Sequence, residues 1–581
     1  MEQLKPYLVQ LAQDLEGDLH FDKLMQVIYA TDASVYRELP LAVAFPRNEF
    51  DIKNLIQFAT DHELSLIPRG AGTSLAGQCV GEGIVVDCSR YMEKIIEFNQ
   101  QENWVRVQPG VVRSQLNNFL EPHGLFFSPI TSTANRATIG GMVGNNASGT
   151  SSVKYGVTRD HVIEIKGILS NGDNVTFSSI TPTELKAKKS LQTLEGALYR
   201  MFYNMLSNPD NQSNIRSEFP KKSIHRRNTG YALDLLLDSA LSGERDRPIN
   251  LCKLICGSEG TLMFITEIKL HLNKLPPKFN VVVASHFESI DTSLRATQIA
   301  MEHQPYACEL MDKTILDCTK ENRLQAENRF FIQGDPKAVL MVELRDESES
   351  ELKKQIDILI QNLDHLSYHN SLVYGDKTKK VWELRSAGLG LLANIPGDKK
   401  AVACIEDTAV DLTDLPEYIS EFSEQMRAFN QQPVYYAHAG AGEIHLRPIL
   451  DLKIEQDRKD FYEITRVTAE LVKKYKGSLS GEHGDGRVRA SFIPLMVGEK
   501  NYELFRTIKK TWDPLNVFNP GKIVDAAPMQ ENLRYELNQE TEEHNTIISF
   551  DHEGGILRAA EKCNGSGDCR KTHHMAGAMC P

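Results

Sequence analysis

The stretch Pro68-Arg69-Gly70-Ala71-Gly72-Thr73-Ser74-Leu75-Ala76-Gly77-Gln78 constrains this chain more than any other. It follows a short apolar run, Leu64 to Ile67, that reads as a strand. Three glycines and two hydroxyl residues let the backbone turn sharply and present bare N–H groups, the means by which a protein cradles a pyrophosphate without side chains. A nucleotide cofactor is therefore expected here, with a merely tight surface turn as the alternative. Two familiar phosphate loops fail on spacing. A G-x-G-x-x-G fingerprint needs a glycine where Leu75 stands and a long helix behind it, whereas a second strand, Ile84 to Asp87, arrives first. A P-loop needs Gly-Lys-Ser/Thr, which occurs nowhere in the chain. The usual NAD site and the P-loop NTPases are thereby excluded.

With 581 residues the chain has length for three or four domains, and 41% hydrophobic with 25% charged residues is ordinary for a soluble globular protein. A net charge of -13 without a basic stripe argues against nucleic acid as a partner. No run approaches the 18 apolar residues of a membrane span, and Met1-Glu2-Gln3-Leu4-Lys5 does not open a secretion signal. A cytoplasmic location is expected, with peripheral membrane attachment left open. Seven cysteines (Cys79, Cys88, Cys252, Cys256, Cys308, Cys318, Cys404) stand singly and read as reduced core thiols. Three more, Cys563, Cys569 and Cys580, crowd the last 19 residues and read as ligands.

Residues 1–45 read as a helical arm, and 46–275 as a first domain in which Ile52, Leu55, Ile56 and Ala59 share a helical face. A second glycine-rich element follows about 65 residues after the first. It comprises Pro129-Ile130-Thr131-Ser132, the run Thr138-Ile139-Gly140-Gly141-Met142-Val143-Gly144-Asn145-Asn146-Ala147-Ser148-Gly149, and Tyr155-Gly156. A third is Cys256-Gly257-Ser258-Glu259-Gly260-Thr261-Leu262. Such elements in one domain point to a cofactor lying between two subdomains. From 276 to 525, strand-like runs (Asn280 to Ala284, Ala338 to Glu343, Val402 to Ile405, Val434 to His438, Ile444 to Arg447) alternate with amphipathic helices such as Glu349 to Leu363 and Ile454 to Tyr475. The pattern predicts an α+β domain with helices over one face of an antiparallel sheet. Residues 526–560 read as an acidic linker, and 561–581 as a separate segment.

His438 and His445 stand seven apart across a glycine-containing segment, and Ser480-Gly481-Glu482-His483-Gly484-Asp485-Gly486 supplies a carboxylate from a second glycine-rich loop. A His-His-carboxylate set suits Zn²⁺ or another divalent ion. Satisfied polar histidines and a Glu482–His483 loop ion pair are the bland alternatives.

Taken in order, the three glycine elements resemble the flavoprotein family of vanillyl-alcohol oxidase and p-cresol methylhydroxylase, and within it the FAD-linked D-2-hydroxyacid dehydrogenases that act on D-lactate and D-2-hydroxyglutarate. The resemblance covers residues 40 to 525. It implies an α+β architecture: a two-subdomain FAD-binding domain of that type and an antiparallel-sheet substrate cap. Pro68 to Ser74, Pro129, Thr131, Thr138, Gly140, Gly141, Asn145, Asn146, Ser148, Gly149, Tyr155, Glu259, Gly260 and Asn519, the last in Asn519-Pro520-Gly521-Lys522, are the implied FAD contacts. His438, His445 and Glu482 match the family's metal ligands, with Zn²⁺ or Mn²⁺ as the ion. His483 matches its base and Arg385 its substrate-binding arginine. Lys399 or Lys400 is a candidate for a second carboxylate, and Arg447 a further one, with surface salt bridges as the alternative. Many relatives read His-x-Gly-Asp-Gly-Asn-x-His, whereas here Ala441 and Glu443 replace the Asp and Asn, a form closer to large fused members with iron–sulfur domains.

Cys563 to Cys569, then Cys580-Pro581, resembles the opening of a ferredoxin-type cluster motif with Ser566 at the middle cysteine position. Three thiolates are too few for a cluster, so a longer form of the protein is expected to complete it. Its electron acceptor would be that iron–sulfur domain, an electron-transfer flavoprotein or a quinone. An oxidase using O₂, a non-catalytic FAD-holding subunit and a homo-oligomer all stay open.

Overall fold

The computed structural model describes residues 3 to 569 apart from 244–246, 321, 323–324, 393–394, 396, 433, 564 and 568. Three sheets organise them. In the first, Ala42–Phe45 and Leu66–Arg69 run parallel to Ile84–Asp87 between them, and Asp18–His20 pairs antiparallel with Ala42–Phe45. The strand feeding the glycine loop is thus Leu66–Arg69, two residues later than Leu64 to Ile67, because its register with Ile84 begins at Leu66. The helix Glu49–Asp61 covers this sheet with Ile52, Leu55, Ile56 and Ala59, as their spacing predicts. The residues before 46 are correspondingly more than an arm. Lys5–Asp14 is helical, but two of the four strands come from this segment.

The second sheet has six antiparallel strands in the order Ile249–Asn250, Asn174–Ile180, Val162–Ile168, Phe264–His271, Trp104–Val107, Ile95–Asn99. The third has seven, in the order His369–Tyr374, Phe279–Phe287, Ala338–Asp346, Ala307–Asp312, Tyr436–His438, Glu443–His445, Thr408–Ala409. Helices cover both its faces, not one. Val281, Val283, Leu340 and Val342 pack with Leu294, Leu352 and Ile356, while the alternate residues Val282, Ala284, Val339 and Met341 pack with Ile315, Leu316, Val381 and Leu384. Strands buried on both faces read as unbroken apolar runs, which conceal how many helical layers cover them.

Glu349–Leu363 is helical as expected, and Glu455–Lys474 within one residue at each end. Val402 to Ile405 is not a strand. Its Val402, Cys404 and Ile405 side chains are buried, but the pairing stops at Lys400–Ala401, and the loop delivers Glu406 and Asp407 to the cleft.

The segment after 525 is anchored rather than free. Tyr36 donates to the Met529 carbonyl (2.7 Å), Arg534 N–H donates to Val35 and Asn538 N–H to Lys453. Lys453 reaches Asp398 (2.9 Å) and Glu561 (3.1 Å), and Arg558 reaches Asp398 (2.9 Å). Its acidic residues are thus partly paired with cations of the body. Among the described residues, no helix is long and apolar enough to cross a membrane.

Candidate active site

Between the three sheets lies a cavity of about 930 Å³, at the upper end of the range for ligand pockets. All of Pro68 to Ser74 line it, and so do Thr131, Thr138, Gly140, Gly141, Asn145, Ser148, Gly149, Glu259 and Gly260. The loop turns at Gly72, whose φ of 69° is left-handed. Thr138 caps the helix Ile139–Asn145 by accepting from Gly141 N–H (3.3 Å), which turns the glycines of its first turn to the cavity.

Four expected cofactor contacts do not line the cavity. The Pro129 carbonyl accepts from Arg113 (3.1 Å). Asn146 ends the helix in the left-handed region and binds Asn228 (2.7 Å) and Arg159 N–H (2.8 Å). Tyr155 packs edge-on against Phe126 and Tyr306. Asn519 sits behind the wall, donating to the Gln78 (2.9 Å) and Glu259 (2.7 Å) carbonyls. Each is absorbed by hydrogen bonding or packing outside the loops that do line it.

The glycine wall makes a direct prediction. Gly144 lies in helix with ordinary backbone angles, and a Cβ there meets nothing nearer than Gly260 N at 4.0 Å. Gly144→Leu should fold but project into the cavity, so the purified variant should lack the flavin absorbance near roughly 450 nm while keeping its far-ultraviolet circular dichroism.

The cap brings its histidines to the same cavity. The short antiparallel pair Tyr436–His438 and Glu443–His445 sets His438 opposite Glu443 and His445 opposite Tyr436, so the two imidazoles stand diagonally with ring centroids 5.1 Å apart, and the 480–486 loop lays Glu482 against them. His438 Nε2, His445 Nε2 and His483 Nε2 stand 3.4, 3.6 and 3.3 Å from the same oxygen, Glu482 Oε1. Their Nδ1 atoms all face other carboxylates: Glu309 for His438 (2.9 Å), and Glu406 for His445 (3.7 Å) and His483 (3.4 Å). A carboxylate on Nδ1 that leaves Nε2 directed inward is the arrangement that orients histidines on metals. Three sequence-distant groups therefore converge as their residue types suggested, and the donor set fits a divalent cation.

Electrostatics follow from this crowding. Against their burial, Arg226 and His438 hold the Glu482 carboxyl well below its usual range, while burial pushes Glu443 well above it despite Arg226. Glu406, beside Arg447, His483 and His445, is held down to about 2 against its burial. Opposing burial, Asp407, Glu482 and Glu406 raise His483 to about 9. His483 thus stands above the ordinary imidazole value because three carboxylates surround it.

What holds the 480–486 loop was invisible in the sequence. Asp407, at a left-handed φ of 80°, accepts from Glu482 N–H (2.7 Å), His483 N–H (2.8 Å) and Ser480 Oγ (2.7 Å). From the glycine elements, Asn145 donates to the Glu482 carbonyl and Gln78 to the His483 carbonyl (both 2.7 Å). Glu259 accepts from Asp485 N–H (2.6 Å) and Gly486 N–H (3.0 Å). Asn145 and Glu259 thus use their polar atoms on the loop as well as bordering the cavity. An acidic pair, Glu406-Asp407, closing a buried apolar run was the one local signal of this.

Arg385 lines the cavity, buried, 2.6 Å from Glu309 and stacked on Tyr436 (4.0 Å), and its Nε has no hydrogen-bond partner among the described residues. Lys400 also lines it but donates to the Gly397 (2.5 Å) and Ile395 (3.3 Å) carbonyls, while Lys399 is exposed outside. Arg447 is paired with Glu406 in the wall. Cys563 reaches the cavity rim, where Arg136 donates to the Ser566 carbonyl (2.7 Å). Cys563 and Cys569 are exposed free thiols, and Cys580 falls outside the described residues. The other seven cysteines are free as expected, all but Cys79 and Cys318 being buried.

Residues 40–178 match the family model for an FAD binding domain, and residues 276–523 that for the FAD linked oxidases, C-terminal domain. The chain belongs to the FAD-linked oxidases. FAD is accordingly the cofactor of the glycine-walled cavity. The chain is 32% identical to a D-2-hydroxyglutarate dehydrogenase of Haemophilus influenzae, over 100% of its own length and 57% of that protein. It is 26% identical to a D-lactate dehydrogenase of Archaeoglobus fulgidus over 86% of this chain and 98% of that one. A solved structure of p-cresol methylhydroxylase with substrate bound shares the fold at a TM-score of 0.64, with 11% identity and coverage of 93% and 98%. The two-domain α+β architecture of this FAD-linked family is thereby shown. The chain spans little more than half the length of the D-2-hydroxyglutarate dehydrogenase it matches.

Proposed function

We propose that this FAD-linked chain oxidises a D-2-hydroxyacid, D-2-hydroxyglutarate or D-lactate, to the 2-oxoacid. The observation that carries the reading is the convergence of three Nε2 atoms on Glu482 Oε1 at the wall of the flavin cavity. Bound FAD supplies a hydride acceptor at its N5. A divalent ion, Zn²⁺ or Mn²⁺, held by His438, His445 and Glu482, would supply Lewis acidity toward the hydroxyl oxygen.

The protein's own groups do the rest. Arg385, a buried fork with a free Nε, binds the substrate carboxylate and fixes C2 in the cavity. Its Glu309 partner also holds His438, so substrate anchor and histidine share one carboxylate. His483 takes the hydroxyl proton at Nε2 in its neutral form, which the carboxylates that raise it to about 9 make the minor form at neutral pH, its ring orientation set by Glu406 and Asp407 at Nδ1 (3.4 and 3.8 Å). Lys400 and Arg447 are among several cations lining the cavity, which gives a second carboxylate a partner and favours a dicarboxylate over lactate.

For the electrons' exit, the rim position of Cys563 supports an acceptor docked there, an iron–sulfur centre in a longer form of the chain, with an electron-transfer flavoprotein or quinone as the other classes. Anaerobic mixing with paired D- and L-hydroxyacids tests the whole reading. D-2-hydroxyglutarate or D-lactate should bleach the flavin band and the L forms should not. Flavin that stays yellow with every acid would assign the chain to electron transfer alone, and peroxide accumulating in air would mark an oxidase.

A further inference from the structure

We infer that Glu443 is a fourth ligand of the cation, making the site two imidazoles and two carboxylates. This deepens the proposed function and rests on it. A tetrahedral ion with bonds of about 2.0–2.1 Å separates its ligand atoms by about 3.4 Å. His438 Nε2 and His445 Nε2 stand 3.4 and 3.6 Å from Glu482 Oε1, and Glu443 Oε1 stands 3.9 Å from His445 Nε2. One donor atom from each of these four residues lies within 4.8 Å of every other. Glu443 therefore sits within reach of the same centre, at a somewhat wider spacing than the three residues that the resemblance singles out.

Two further observations aim this carboxylate at the centre. It is fully buried on the strand Glu443–His445, two residues from His445 and so on the same face of the strand. Neither of its oxygens accepts a well-formed hydrogen bond among the described residues, although the Arg226 guanidinium stands 2.9 Å from Oε1. The neighbouring loop is also shaped around it: a Cβ on Gly481 would strike the Glu443 carboxylate, so the glycine beside Glu482 leaves room for both acids.

Arg226 then has a defined part. It spans Glu443 and Glu482 (2.9 and 3.4 Å), binds Ser152 (2.8 Å) and the Gly149 carbonyl, and offsets the second negative charge from outside the ligand set. Four protein donors fill a four-coordinate zinc, leaving no position for a substrate oxygen. An ion that takes six ligands keeps two positions, and a set with two carboxylates suits Mn²⁺. Glu443 is in this sense a metal-selectivity residue, where many relatives have a neutral amide.

The test is binding of Mn²⁺ and Zn²⁺ to the FAD-loaded protein, measured by chelator competition. Glu443→Gln should weaken Mn²⁺ binding more than about 100-fold, beyond the 10- to 100-fold typical of residues that only support a ligand, and should weaken Zn²⁺ binding less. Arg226→Gln should weaken Mn²⁺ binding less than about 10-fold. Equal losses in the two variants would mean that Glu443 acts only through Arg226, and wild-type Mn²⁺ affinity in Glu443→Gln would show that it is no ligand. Either result overturns the inference while leaving the D-2-hydroxyacid reading intact. Should Glu443→Gln emerge without flavin, Glu443→Asp, which keeps the charge, carries the comparison, and unchanged Mn²⁺ affinity there overturns it too. A wild-type protein that takes up neither ion refutes the cation site altogether.

Discussion

Replacing His438 by alanine should leave the flavin bound and slow its anaerobic reduction by D-2-hydroxyglutarate or D-lactate by roughly 10³-fold or more. The size follows from removing a Lewis acid worth several kcal/mol of transition-state stabilisation, at about 1.36 kcal/mol per tenfold. His438 borders the cavity from the cap and makes no hydrogen bond to the glycine elements, so FAD content should be unchanged. The companion variant Glu309→Gln neutralises the carboxylate that His438 Nδ1 shares with Arg385, and its loss should be about 10- to 100-fold. Metal analysis and flavin absorbance on the same samples separate the two effects. Chelator treatment of the wild-type protein should reproduce the His438→Ala rate, and added Mn²⁺ should restore it. Full activity after exhaustive chelation would remove the cation from the mechanism.

The second large effect is expected at Arg385. Arg385→Lys keeps the positive charge beside Glu309 but gives up the planar fork. Truncating one member of a buried hydrogen-bonded charge pair costs about 2–5 kcal/mol, about 30- to 5,000-fold at 1.36 kcal/mol per tenfold. Most of the loss should appear as a raised KM, since the carboxylate is held equally in ground and transition states. Saturation of flavin reduction at high D-2-hydroxyacid gives the two parameters separately. A kcat/KM within threefold of wild type would move the carboxylate to another cation of the wall, such as Lys400 or Arg447.

The parts of this protein that were legible in its sequence are those whose signal is local. The glycine run from Pro68 to Ser74 lines the cavity along its whole length because backbone that must approach a ligand excludes Cβ atoms wherever it does so. The pair His438 and His445 was readable because a tight antiparallel turn brings positions seven apart together. The groups that orient those residues were not. Glu309 lies 129 residues from His438, and Arg226 lies 256 from Glu482, so no periodicity connects them. Val402 to Ile405 has the apolar content of a strand, but its backbone leaves the sheet to bring Glu406 and Asp407 into the cleft. Asn146, Tyr155 and Asn519 stood beside true cavity residues, and composition cannot distinguish a residue in a wall from one behind it. The acidic composition of 526–560 suggested a linker; residues 536–540 and 542–549 are exposed, while Arg558 ties the end of that stretch to Asp398.

The hydrogen bonds from Gln78, Asn145 and Glu259 to the backbone of 482–486 mean that neither half of this enzyme owns its reactive centre. A chimera that grafts this cap onto a relative's flavin half would carry every imidazole yet leave their loop unsupported unless those three side chains travel with it. Exchanging substrate preference by domain shuffling should therefore fail where point changes within the pocket succeed.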